Sequence, residues 1–208
     1  MVLPLVGLLI ASVSAAPEWE KVSDKGGVLV ERRPVPGSSI YEVRATAQSP
    51  LLPAAIFETL WKHREYPEFV PHLTRLDLLS DGDDEHITYE QVTVPLLTDR
   101  DYVVRLRKHV DTTAQRYEIL FTSANDAGPP PDRQHVRVQR IQGSWIVEPS
   151  LDGKGSIVRY DVLTEPGGAI PAWITNHAQK EAVAALIHAV LKRAQENVGP
   201  ELRNSSSR

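Results

Sequence analysis

The sequence predicts an α+β domain, with a curved antiparallel sheet covered by one long C-terminal helix. Three observations predict it. Seven short segments rich in β-branched and aromatic residues lie between Leu73 and Leu163. Only turn compositions separate them, with no helical pattern between, which excludes a doubly wound parallel sheet. After Pro171 the period changes, and Val183, Leu186, Ile187, Val190, Leu191 and Ala194 form a helical apolar stripe.

The elements follow in order. Trp19–Ser23 and Val28–Arg33 flank Asp24-Lys25-Gly26-Gly27, which has hairpin-turn composition, and Ile40–Gln48 reads as a third strand. Ser49-Pro50 predicts a helix start. Ile56, Phe57, Leu60 and Trp61 form the apolar face of that helix, which is predicted to stop before Pro67. The meander then comprises Leu73–Leu79, His86–Val94, Tyr102–Val110, Arg116–Thr122, Val136–Ile141, Ser144–Glu148 and Ile157–Leu163. The last helix is predicted from Pro171 to about Asn197, where Gly199-Pro200 stops it. Between Ala182 and Leu191 only His188 is polar. A helix so apolar needs a large apolar partner, and the concave face of a bent sheet supplies one.

Composition bounds the function. With 208 residues, 41% hydrophobic and 24% charged, the chain has the makings of one globular domain. A net charge of −4 and the absence of a basic stripe argue against a nucleic-acid surface. There is no cysteine, so disulfides, thiolate metal sites and cysteine nucleophiles are excluded. Val2–Val13 is almost entirely apolar and leads into Ser14-Ala15-Ala16, the pattern of a signal peptide spanning residues 1–16. The run is shorter than the roughly twenty residues that cross a bilayer. An N-terminal helix packed on the domain is the alternative, since no Lys or Arg precedes the run. Residues 17–198 then form the domain, and 199–208 a disordered tail.

No arrangement demands catalysis or a metal. None of the seven histidines forms His-Glu-x-x-His or a close pair, and His177 and His188 lie about three helical turns apart. The Asp81–Glu85 run lacks the spacing of a calcium loop. Ser144 and Ser156 lack a nucleophile elbow, and the glycine pairs lack the spacing of a phosphate loop.

Four motifs carry a family resemblance. Tyr66-Pro67-Glu68-Phe69-Val70-Pro71 resembles the helix-to-strand junction of START domains and of related polyketide cyclases and coenzyme-Q chaperones. The segment from Val94 to Tyr102, ending in Arg100-Asp101-Tyr102, is similar to the START turn that closes on Arg-Asp-aromatic. Gly143-Ser144-Trp145 and the segment Glu165–Ile174 resemble the late strand and the pre-helix junction of bacterial START proteins. The matches run in order from Trp19 to Ala194.

The resemblance implies a helix-grip fold with a tunnel for a lipid, sterol or similar hydrophobe. It implies Glu90 and Arg105 as a charged pair inside the tunnel, with Arg107 also flanking the expected arginine position. Trp145, Trp173, Ile174 and His177 are the further expected ligand-binding residues. The junction Glu165–Pro171 is the expected hinge of a helical lid. The implied partners are a hydrophobic small molecule and, transiently, a membrane surface, with no cofactor, no nucleic acid and a monomeric chain. An enzyme of the cyclase or aromatase group, and an interaction module with a filled core, stay open as alternatives.

Overall fold

The computed structural model describes residues 18–94, 97–168 and 170–199, without the side chains of Ala172 and Trp173. The expected leader and most of the expected tail lie outside the described residues. Among these are ten strands and three α-helices: β1 (Glu20–Lys25), β2 (Val28–Pro34), β3 (Tyr41–Ser49), α1 (Pro53–Trp61), α2 (Tyr66–Phe69), β4 (Leu73–Asp81), β5 (Glu85–Val92), β6 (Arg100–Asp111), β7 (Arg116–Ser123), β8 (Val136–Arg137), β9 (Arg140–Pro149), β10 (Ser156–Glu165) and α3 (Ala172–Asn197). The strands form one sheet in the order β1-β2-β3-β10-β9-β7-β6-β5-β4, with β8 attached to β6. It is the helix-grip architecture: a curved antiparallel sheet with the long helix α3 on its concave side.

The predicted elements stand, with local corrections. Helix α1 begins at Pro53, not at Pro50. Leu52, immediately before that proline, is held extended at ψ 148°, and Pro53 takes the first helical position. Ser49 Oγ instead accepts a hydrogen bond from the Leu51 amide, one step upstream. Helix α1 ends at Trp61, ahead of Pro67 as expected, and Pro67 itself lies in the first turn of the short α2. The Tyr66 hydroxyl reaches back and donates to the Leu60 carbonyl at 2.7 Å, satisfying an acceptor that the end of α1 leaves open. The stretch predicted as Val136–Ile141 divides. Val136–Arg137 pairs in parallel with Arg100–Asp101, and a new strand begins at Arg140.

Alternation along each strand sorts side chains between two faces. On the concave face of β6 lie Arg100, Tyr102, Val104 and Leu106; the last two are buried in the main core with Trp145, Val147, Val158 and Tyr160. Val103, on the opposite face, packs with Tyr89 and Ala124 in a small second cluster. Val183, Ile187, Val190 and Ala194, at spacings of four, three and four, bury one face of α3 against the core. That face touches α1, β2 and β3.

Candidate ligand cavity

The C-terminal half of α3 fills the grip, but its N-terminal half does not. Between that half and the concave ends of β5, β6, β9 and β10 lies a cavity of about 520 Å³. Its wall is mostly apolar, including Val92, Val94, Leu97, Val138, Ile141, Ile170, Ile174, Ala178 and Ala182. The volume falls within the range of pockets that take one small organic ligand. A hollow of about 570 Å³ on the convex face, floored by Arg75, Asp77 and Tyr89, lies outside the grip of sheet and helix.

The chain order explains the cavity's position. The cavity-lining residues Ile174, Thr175, Ala178, Glu181, Ala182 and Ala185 share one side of α3, and several are small. Replacing the bulky core side chains of the later turns by alanines leaves space. Pro166 and Ile170 also line it, so the junction before α3 forms part of the wall. Gly167 and Gly168 in that junction have φ of 70° and 71°, a region that side chains rarely adopt. His72, also on the wall, holds φ 65°, and its carbonyl accepts the Thr93 amide at 2.9 Å.

Behind the apolar wall the polar groups are deeply buried. Glu90 is 9% exposed, and Thr88 Oγ1 donates to its Oε1 at 2.8 Å. Burial pushes the Glu90 carboxyl above its usual range, against the opposing Thr88 and Tyr102 hydroxyls. Tyr66, Tyr102 and Tyr160 are raised too, chiefly by burial and then by the charge of Glu90. Three lining residues carry buried polar atoms with no hydrogen-bond partner among the described residues: Arg100 Nε, Thr175 Oγ1 and Gln179 Oε1.

The expected Glu90–Arg105 pair does not form. Glu90 stands opposite Tyr102 in the β5–β6 register, and Arg105, three residues on, projects from the other face. There Arg105 approaches Glu85 at 3.4 Å, and Arg107 donates to the same carboxylate at 2.6 Å. Arg100, even in step with Tyr102, is the arginine that the strand turns inward. The Arg-Asp-Tyr motif therefore splits across the sheet. Asp101, 1% exposed, faces the convex side, where Arg137 grips both its oxygens at 2.9 and 2.8 Å and Tyr89 donates at 3.1 Å.

Of the other expected residues, Ile174 lines the cavity. Trp145 is buried in the core, tilted on Tyr160 with ring centroids 4.3 Å apart, and is not part of the cavity wall. His177 is exposed, off the cavity side of α3, because its angular position falls between the lining residues and the solvent face. The side chain of Trp173 lies outside the described residues. Sequence reasoning missed Arg100, Thr175 and Gln179. Strand parity from Tyr102 is the signal that finds Arg100.

A profile of the START domain matches residues 10–199. The chain belongs to the START family. It is 28% identical over 170 residues to an uncharacterised protein of Pseudomonas aeruginosa, covering 80% of this chain and 82% of that one. It is 26% identical over 186 residues to the phosphatidylcholine transfer protein of Mus musculus, covering 86% and 84%. Among solved structures, the STAR-related lipid transfer protein of Xanthomonas axonopodis superposes with a TM-score of 0.77 at 23% identity, covering 85% of this START chain and 98% of that one. The similarity extends over almost the whole described domain, so the shared fold includes both the sheet and α3.

Proposed function

We propose that this START protein binds a hydrophobic lipid in the cavity between its sheet and α3, and carries it without altering it chemically. The observation that carries the reading is the mostly apolar 520 Å³ cavity beneath α3. Membership of the START family and similarity to a phosphatidylcholine transfer protein support it. The sequence carries no acid–base or nucleophilic motif, which favours a carrier over a cyclase.

We read the Glu165–Pro171 junction as a gate. Its glycines permit a bend, its prolines limit where the bend falls, and Pro166 and Ile170 already form wall. The test is lipid exchange with the full domain, followed by stopped-flow fluorescence, together with thermal stability in the presence of each lipid class. A bound lipid at a hundredfold excess over Kd should add about 2.7 kcal/mol of stability. Gly168→Ala, which has room for its methyl but a φ that resists it, should slow entry and release more than it changes affinity. Absence of any lipid-induced stabilisation would defeat the carrier reading. Unchanged exchange rates in a folded Gly168→Ala variant would defeat the gate. Recovery of a chemically altered ligand would favour the cyclase alternative.

The apolar run Val2–Val13 and the small residues after it extend the proposal to an exported carrier. Protein isolated from its own host should then begin near Ala16 or Pro17, as measured by intact mass. A soluble species that keeps Met1–Val13 would overturn export.

A further inference from the structure

The cavity wall holds a cation with no ion-pair partner among the described residues. Arg100 is 4% exposed, and its Nε is buried with no hydrogen-bond partner among the described residues. Its Nη1 donates to the Thr98 carbonyl, a neutral acceptor. A guanidinium stays charged at any physiological pH, and a buried charge without a counter-charge is costly. Asp99 acts on it from nearby but does not outweigh its desolvation, and no carboxylate among the described residues forms an ion pair with it. Asp101, next in sequence, is on the other face and committed to Arg137.

Two neighbours on the wall complete a polar patch. Thr175, 8% exposed, carries a hydroxyl without a partner among the described residues. It sits in the first turn of α3, whose N-terminus has no side-chain cap and whose dipole favours negative charge. Gln179, one turn on, donates its Nε2 to the Thr164 carbonyl at 3.2 Å, and its Oε1 has no donor among the described residues. Glu181 also lines the cavity but lies at the exposed rim, where Lys180 pairs with it at 3.1 Å.

We propose that the cavity selects amphiphiles whose polar end is an anion, a carboxylate or a phosphate, received by Arg100 and Thr175 with Gln179 accepting from an adjoining hydroxyl. The proposal rests on the carrier reading and narrows it. Neutral hydrophobes of the same length would leave the guanidinium unpaired and so bind more weakly.

The test uses the full domain and four probes with one oleoyl chain: oleate and oleoyl lysophosphatidate as anions, oleyl alcohol and monoolein as neutral partners. Inorganic phosphate serves as the free anion. Calorimetry on the wild-type protein should give at least one anionic lipid an affinity about ten-fold or more above both neutral ones, the scale of a hydrogen bond to a charged group. Arg100→Met should bring the ratio close to one, and Thr175→Val should reduce it. Phosphate alone should not bind measurably, because the apolar wall contributes nothing to it. Neutral lipids that bind as tightly as both anions would overturn the proposal while leaving the carrier intact. Saturable binding of phosphate with no binding of either anionic lipid would overturn it as well. Failure of all four lipids would remove the carrier reading itself. The wild-type comparison decides the matter even if Arg100→Met does not fold.

Discussion

Stability should fall steeply as pH drops below about 6.5, and His63 should be the main cause. Its ring is 2% exposed, and its Nδ1 lies 2.9 Å from Nδ1 of His86. One ring must donate and the other accept, which requires an unprotonated nitrogen between them. The His63 Nε2 has no partner among the described residues, so a proton there would be buried without an acceptor. Burial, and then the charge of His86, push His63 down to about 3. An unfolded histidine takes up its proton near 6.5. The pair's contribution is therefore complete above 6.5 and is lost as pH falls toward 3. The loss approaches ~1.4 kcal/mol per pH unit, or about 3 kcal/mol by pH 4.

Glu90 works with the opposite sign. Its carboxyl is raised in the fold, so its contribution is full below the unfolded value and is lost as pH rises through the folded one. Urea unfolding from pH 4 to pH 8 separates the two. His63→Phe should flatten the acid limb by about one proton's worth of slope. Glu90→Gln should gain on the wild type at pH 8, and the gap should close toward pH 4. If wild type and His63→Phe lose stability in parallel between pH 6 and pH 4, the buried histidine is not the acid-sensitive element.

Gly143→Ala should destabilise the domain by about 3 kcal/mol or more, a lowering of Tm by roughly 6–12 °C in a chain of this size. A Cβ there would stand 1.9 Å from the Asp161 carbonyl oxygen and 2.6 Å from Cζ of Phe121. The carbonyl belongs to the backbone of β10, paired along its length with β9, so it cannot step aside without breaking the ladder. Gly143 thus lets two strands and an aromatic ring approach more closely than any side chain permits. Ser144→Ala, at the next position, is the control and should change stability by no more than about 0.5 kcal/mol. A Gly143→Ala protein within 1 kcal/mol of the wild type, as about judged by the usual spread of core substitutions, would show that the strands can yield there.

The fold was legible because its signals are local and repeated. Alternation marked the strands, turn residues marked their ends, and the stripe from Val183 to Ala194 marked the buried face of α3. The helix starts were less legible, because Ser49, Pro50 and Pro53 all offer start signals and only the final packing decides among them. The site was harder. Whether Arg105 or Arg100 faces inward depends on register, and a shift of one residue exchanges the faces of a strand. The family motif marked Arg100-Asp101-Tyr102 as a unit, yet alternation sends its middle residue outward to Arg137. The Thr175 and Gln179 positions looked like ordinary polar residues of a helix, since nothing in the sequence says which side of α3 is left uncovered.

The pairing of β3 with β10 has a consequence for how the chain reaches this state. Ser49 and Ser156 are partners at one end of that ladder, more than a hundred residues apart in sequence. The N-terminal hairpins therefore cannot join the sheet until nearly the whole meander has been synthesised, and α3 cannot seat before them. Such long-range closure makes folding slow and leaves the edge of β3 open in any shorter nascent chain. A chain interrupted before Ser156 would carry an unpaired strand and no helix to cover the apolar face, which makes it a substrate for chaperones or for aggregation.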